Sequence, residues 1–265
     1  MPRVEIDRGS VEKNTSMTPI DISEASGVRF LHFGSEWIQG AMRIARPFAL
    51  ELEYTREMMV PLLIYPDDWP KRVLMIGLGA GSLLKFMWRY KPKSLLTVVE
   101  IDPRMEAAAR QFFKLPEDPE RITVQIGDGA DFMISSRQQF DLILVDGFDA
   151  DARANRLDST SFYLNCRARL ATDGMLCVNL LSRRKDFSKC IARMQEAFDG
   201  HAIAFPSNDA GNSIALATKD LSPTPTLKDL SHAAIGLRKE TGLNLAPQLA
   251  RIGRSNHFPH GILKI

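Results

Sequence analysis

Cysteine is scarce in this chain. The 265 residues hold three, Cys166, Cys177 and Cys190, an odd number at wide spacing. That argues against a disulfide framework or a zinc knuckle, and it fits reduced thiols in a cytoplasmic protein. Histidine is scarce too: there are five, none at metal-ligand spacing, so no metal is expected, and His257 and His260 read as surface residues. Charge of one sign is also lacking. Lys and Arg total 34, Asp and Glu 32, for a net charge of +2, which leaves no bulk electrostatic case for a nucleic-acid or membrane partner. The local run Arg183-Arg184-Lys185 reads as a solvated turn. No apolar run approaches the roughly 20 residues a bilayer span requires. Met1 to Thr18 is polar and charged, without the apolar stretch of a signal peptide.

What remains is an ordinary globular composition, 45% hydrophobic and 25% charged, long enough for one large domain or a domain with an appendage. Residues 1–25 read as a loosely ordered leader and residues 26–68 as a small β-rich domain. Residues 69–245 read as a Rossmann-like domain and residues 246–265 as a tail. Alternating apolar residues in Val28-Arg29-Phe30-Leu31-His32-Phe33 predict a strand, and Glu51 to Leu63 reads as helical. After the turn cluster Pro66-Asp67-Asp68-Trp69-Pro70 a strand–helix rhythm begins. Strands are predicted at 73–76, 95–100, 122–126, 141–145 and 175–180, with weaker ones at 201–205 and 213–218. Helices are predicted at 82–90, 103–113, 129–136, 159–171 and 186–198, and a last one from Leu227 to Thr241 stops at Gly242. Strands such as Leu142-Ile143-Leu144-Val145 are apolar on both faces, as in a parallel sheet covered by helices on both sides.

The richest stretch is Val73-Leu74-Met75-Ile76-Gly77-Leu78-Gly79-Ala80-Gly81. An apolar strand runs into glycines at alternate positions and then into a helix, whose N-terminus offers free amides and a partial positive charge. In an open α/β sheet ligands bind beyond the carboxyl ends of the strands, and three acids stand at such ends. Glu100, about 20 residues past the loop, suits the hydroxyls of a ribose or is a solvated strand-end acid; the glycine loop favours the ribose. Asp128, in Ile126-Gly127-Asp128-Gly129-Ala130, suits an adenine amino group or serves as a turn residue and helix cap. Asp146, directly after Leu142 to Val145, faces the glycine loop if the fourth strand lies beside the first. With Asp149 it could hold a cation or draw a proton from an attacking group, although Asp149 and Asp151 also read as solvated loop acids. A nicotinamide enzyme shares the glycine loop and distal acid. The extra carboxylates fit an adenosyl-sulfonium ligand better, because it has no pyrophosphate and carries a positive sulfur.

Together the stretches Val73 to Gly81, Val98-Val99-Glu100-Ile101-Asp102, Val124 to Ala130 and Phe140 to Asp146 resemble the spermidine synthase (polyamine aminopropyltransferase) family, from about Gln39 to Gly242. The resemblance implies an α/β fold, a class I S-adenosylmethionine-methyltransferase-like Rossmann sheet behind a small N-terminal β domain, in a homodimer. It implies aminopropyl transfer from decarboxylated S-adenosylmethionine, a co-substrate and not a resident cofactor, to a small-molecule amine acceptor. It makes Asp146 the residue that deprotonates the amine and Asp149 a second acid that grips it. It makes Gln39, Gly77, Gly79, Gly81, Glu100, Ile101, Asp128, Gly129 and Asp146 the donor site, with Glu100 on the ribose and Asp128 on the adenine.

The chain departs from the family pattern in places. Ala80 stands where the family loop Gly-Gly-Gly-Asp-Gly-Gly has the aspartate that holds the donor's amine. Thr55 replaces an aromatic in Tyr54-Thr55-Arg56-Glu57-Met58, which puts Arg56 near the expected amine site. Ala150-Asp151-Ala152-Arg153 replaces a proline-containing loop, and Phe205 stands roughly at a substrate-contacting tyrosine. Three functions therefore stay open: an aminopropyltransferase, a methyltransferase using intact S-adenosylmethionine, and a non-catalytic nucleoside-binding homologue.

Overall fold

The structure, a computed structural model, describes residues 19–33, 38–65, 67–147, 155–183, 186–207, 211–219, 224–253 and 262–265. The first three strands, β1 (Ile20–Ala25), β2 (Val28–Phe33) and β3 (Ile38–Arg43), form an antiparallel meander of their own. β1 occupies the last six residues of the segment expected to be a loose leader. It is tied in because every residue of β1 pairs with one of β2, from Ile20 opposite Phe33 to Ala25 opposite Val28.

The predicted helix over Glu51 to Leu63 is broken in two. A short α1 (Glu53–Glu57) is followed by a 3-10 turn over Val60–Leu63. Pro61 lacks the amide a continuing α-helix would use, and the segment tightens instead, with Leu62 N bonding Met59 O and Ile64 N bonding Pro61 O.

Next come β4 (Arg72–Ile76), α2 (Ser82–Tyr90), β5 (Leu95–Glu100), α3 (Pro103–Phe112), β6 (Ile122–Ile126), α4 (Gly129–Ser135) and β7 (Phe140–Val145). They lead to α5 (Thr160–Arg169), β8 (Leu170–Leu181), α6 (Phe187–Ala197), β9 (Ala202–Pro206), β10 (Asn212–Thr218), α7 (Leu227–Thr241) and α8 (Ala246–Ile252). The sheet order is β6-β5-β4-β7-β8-β10-β9. Strands β6 to β8 are parallel, and β10 runs antiparallel to both of its neighbours. The fold is thus a class I methyltransferase-like α/β sheet with a small N-terminal β unit. The fifth helix ends at Arg169, two residues before the predicted stop, because β8 starts at Leu170. The segment expected as a tail contains α8, which packs against α7.

Strand periodicity builds the layers. Val73, Met75, Leu142 and Leu144 face one core with α2, α7 and α8, while Leu74, Ile76, Ile143 and Val145 face another with α5 and α6. A third, smaller core of Leu31, Met42, Ala80, Met105 and Phe113 seats the N-terminal meander on the glycine loop and α3. The strand order reverses between β4 and β7, and there the chains touch through the main chain. Asp146 N donates to Ile76 O at 2.9 Å, and a Cβ on Gly77, at φ +94°, would collide with the Asp146 carbonyl. Only glycine meets both demands.

Two stability predictions follow from these contacts. Gly77→Ala should destabilise by roughly 3 kcal/mol or more. Gly200→Ala, at φ +88° with nothing within 4 Å of a new Cβ, should lose about 1 kcal/mol from backbone strain alone. Denaturant titration separates the two, and equal losses would remove the steric argument.

Lys85 on α2 is 1% exposed, and its ammonium donates to Phe113 O at 2.8 Å. Burial, with Lys114 adding like charge, lowers its pKa to about 7. The unfolded chain holds that proton up to about 10.4, so stability rises with pH between about 7 and 10.4 and the full deficit is present below. Lys85→Met should flatten that rise, which is on the order of a few kcal/mol. An unchanged pH slope of the unfolding free energy would show that folding does not shift the pKa of this lysine.

Candidate active site

A cavity of about 610 Å³ opens over the carboxyl ends of β4, β5 and β7 and under the N-terminal meander. It is walled by Phe33, Gln39 and Gly40, by Tyr54 and Thr55 of α1, by Gly77 to Ala80, and by Glu100 to Met105. Gly127 to Gly129, Asp146, Gly147 and Asn155 to Leu157 close the other side. The size suits a nucleoside-sized ligand. Of the residues singled out from the sequence, Gln39, Gly77, Gly79, Glu100, Ile101, Asp128, Gly129 and Asp146 all line this one space. Gly81 stands behind it as the left-handed N-cap of α2, where a Cβ would meet Leu115 Cδ1 at 2.5 Å. Asp149, with Ala150 to Arg153, lies outside the described residues, as do His257 and His260.

Glu100 ends β5 and is 6% exposed. Its Oε2 accepts from Leu78 N at 2.8 Å and its Oε1 from Asp102 N at 2.9 Å. Burial holds its pKa above the usual carboxylate range, against the pull of these amides. The amide of Ile101 acts on it in the same direction, and the fixed carboxylate offers its remaining acceptor capacity to the cavity it lines. Ile101 beside it is 70% exposed, an apolar face left open at the cavity edge.

Asp128 is the N-cap of α4, and its Oδ1 accepts from Ala130 N at 2.7 Å and Asp131 N at 3.1 Å. Such a cap contributes about 1 kcal/mol, so the structural role read from Asp-Gly is real. It uses one oxygen only. Oδ2 accepts from Arg156 Nη1 at 3.0 Å, and Arg156 Nη2 reaches Asp131 Oδ1 at 2.6 Å.

Asp146 follows β7 directly and is half-buried. Tyr54 Oη donates to its Oδ2 at 3.1 Å, and Asn179 Nδ2 donates to its Oδ1 at 2.9 Å. Burial raises its pKa; the bonds from Asn179 and Tyr54 act the other way. Asn179, on β8, is 5% exposed, and its Oδ1 has no hydrogen-bond partner among the described residues.

Sequence reading missed Asn179 altogether. The available signal was a lone amide in the apolar run Met175 to Leu181. It placed Tyr54 in a motif but not against Asp146, and it passed over Arg156 and Leu157. Its expectation for Arg56 is not met: the guanidinium bonds Leu50 O at 2.9 Å, Glu51 O at 3.0 Å and Glu53 at 3.1 Å, and does not line the cavity. Phe205 is 1% exposed in the core under the sheet, away from the cavity. Ala80 is buried against Gly40, where a Cβ would stand 2.6 Å from its own.

The sequence model of the spermine/spermidine synthase domain matches residues 52–203. The polyamine aminopropyltransferase of Chromobacterium violaceum is 34% identical over 250 residues, covering 94% of this chain and 95% of that protein. That of Neisseria meningitidis serogroup A is 33% identical over 237 residues, covering 89% and 90%. A probable spermidine synthase from Corynebacterium glutamicum shares the fold with a TM-score of 0.69 at 21% identity, over 86% of this chain and 92% of that one. With the sheet order, the cavity at its switch point and these matches in agreement, the chain belongs to the spermine/spermidine synthase family of transferases.

Proposed function

We propose that this protein is a polyamine aminopropyltransferase that moves the aminopropyl group of decarboxylated S-adenosylmethionine to a small-molecule amine. The observation that carries the reading is Asp146, a half-buried carboxylate at the switch point held by two side-chain donors and open to the cavity.

In this reading the ribose hydroxyls donate to the spare lone pairs of Glu100. The adenine amino group donates to Asp128 Oδ2, and Ile101 covers the base. Gln39, Gly77 and Gly79 border the sulfonium arm, and Gly129 lets the base approach the α4 terminus. An alkylamine with a pKa near 10.4 is protonated at neutral pH and holds no free lone pair. Asp146 takes that proton and orients the nitrogen. The nitrogen lone pair attacks the propyl carbon attached to sulfur, the C–N bond forms, and the C–S bond breaks. Its electrons return to sulfur as the neutral thioether of methylthioadenosine. Tyr54 and Asn179 keep the two oxygens of Asp146 in place. Asp149 is assigned to the far amine. We also assign residues 20–68, with β1 included, as the β unit and residues 69–252, with α8 included, as the catalytic domain of a cytoplasmic homodimer.

One observation favours a second donor. The turn before α2 carries Ala80, so among the described residues no acid stands there to oppose the carboxylate of intact S-adenosylmethionine. Methyl transfer from that donor is the second reading. Incubation with each donor and a panel of amines separates the two by mass spectrometry. Methylthioadenosine marks aminopropyl transfer and S-adenosylhomocysteine marks methylation; the absence of both overturns the assignment.

Asp146→Asn should lower kcat by about a hundredfold or more while donor affinity stays near that of the parent. Equal losses in both would make Asp146 a structural residue. Tyr54→Phe removes a bond that lowers the Asp146 pKa, so the carboxylate is lost at higher pH. The acid limb of the kcat profile should move upward, and an unmoved limb would detach Tyr54 from the proton transfer.

A further inference from the structure

Outside the cavity, the described residues hold one dense group of reactive side chains. Asp158 is 9% exposed and lies one residue before α5's N-cap, Ser159. Its Oδ1 accepts from Tyr163 Oη at 3.2 Å. Its Oδ2 accepts from Cys190 Sγ at 2.9 Å and from Arg193 Nη2 at 2.6 Å. Asp158, Asp186 and Cys190 have the spacing of a metal site, but the group is closed by its own donors. Burial and the neighbouring carboxylate raise the Cys190 thiol to about 12, and burial raises the Tyr163 phenol well above its ordinary value. Both therefore keep their protons at neutral pH and act as hydrogen-bond donors to Asp158.

Two residues that line the cavity, Arg156 and Leu157, immediately precede this group. Leu157 fills a notch cut by two glycines: a Cβ on Gly147 would stand 2.6 Å from Leu157 Cδ1, and one on Gly129 3.4 Å from Cδ2. Ser159 Oγ donates to Arg156 O at 3.0 Å. Arg156 then spans to Asp128 and Asp131 at the start of α4. The turn Asn155 to Asp158 is thus gripped from beneath by a buried carboxylate and presents its upper surface to the compartment assigned to the nucleobase.

We propose that Asp158 is a positioning residue for donor binding: it fixes the turn whose Arg156 and Leu157 form the wall opposite Asp128, and so sets donor affinity without touching the donor. This rests on the reading of the cavity as an adenosyl-donor site. Exposed ion pairs such as Arg156 with Asp131 are weak by themselves, whereas a buried carboxylate with three side-chain donors holds one geometry. The wall is therefore held chiefly by Asp158.

The test is calorimetric titration of methylthioadenosine into the parent, Asp158→Asn, Tyr163→Phe and a remote control, Trp88→Phe, which removes an indole bond to Asp118 on α2's outer side. Asp158→Asn should bind about tenfold more weakly, Tyr163→Phe about threefold, and Trp88→Phe like the parent. The donor KM should follow, with the acceptor KM unchanged. Folded Asp158→Asn with parental affinity overturns the proposal. If that variant does not fold, Tyr163→Phe decides in the same way, and an equal loss in Trp88→Phe counts as general loosening and against it. A parent that does not bind methylthioadenosine overturns the functional reading and this inference together. A parent that binds beside unaffected variants overturns this inference alone.

Discussion

The main-chain contact between Gly77 and Asp146 is the constraint on which the site depends. Two parallel strands that are far apart in sequence, β4 and β7, end side by side. The carbonyl of one exit presses on the missing side chain of the other. That approach brings Asp146, the carboxylate proposed as the base, to the loop proposed to hold the donor. It also leaves Glu100 on the far side of β4, one strand further along the sheet. In the proposed reading, the separation between sugar and reaction centre is set by strand spacing, about 4.8 Å per strand, and not by flexible side chains. Preorganisation of this kind is what a transfer between two bound molecules needs.

The site divides into two halves with different physics. The half proposed to hold the nucleoside is built from backbone: glycines, helix starts, and carboxylates pinned by amides. Glu100 accepts from Leu78 and Asp102, and Asp128 accepts from Ala130 and Asp131. The half around Asp146, proposed as the reactive one, is built from side chains on or next to three elements, α1, β7 and β8, which meet only after the sheet has formed. This difference explains what was legible in the sequence. Backbone sites leave local signatures, and Gly77 to Gly81, Glu100 and Asp128 were readable because each lies within a strand-turn-helix pattern. Asn179 and Tyr54 leave none, since their meaning lies in a partner 33 or 92 positions away.

The same distinction applies to the fold. The strands of the large sheet were readable because apolar runs bounded by turns survive any tertiary context. The break between α1 and the turn at Val60 was not read, although Pro61 was in view. The apolar run Met58 to Ile64 is buried throughout, so no change of periodicity marks the break. β1 escaped notice because its burial pattern is almost wholly exposed. Pairing with β2 along its whole length, with only Ile20 and Ile22 packed on the small third core, holds it, and pairing is invisible in one strand's sequence. Arg56 shows the opposite error. Its position in a motif suggested a role in the cavity, but carbonyls one turn away and Glu53 already satisfy the guanidinium. An arginine with local acceptors is a poor candidate for a ligand contact, whatever motif it sits in.

Charge placement ties the two halves together. A cationic sulfur and a protonated amine both have to enter a cavity whose lining contains Glu100, Asp102, Asp128 and Asp146. Asp102 is matched by Arg104 and Asp128 by Arg156. Glu100 and Asp146 have only neutral donors among the hydrogen bonds described, and burial raises the pKa of both. Their negative charge is therefore the least compensated in the cavity. A cation arriving between them relieves the desolvation that burial imposes on each carboxylate. Transfer then discharges the sulfonium and releases a proton, so the attraction that draws the substrates together weakens once the products form. Binding and release are in this way opposite sides of one electrostatic design, set by which acids of the cavity were left without an arginine.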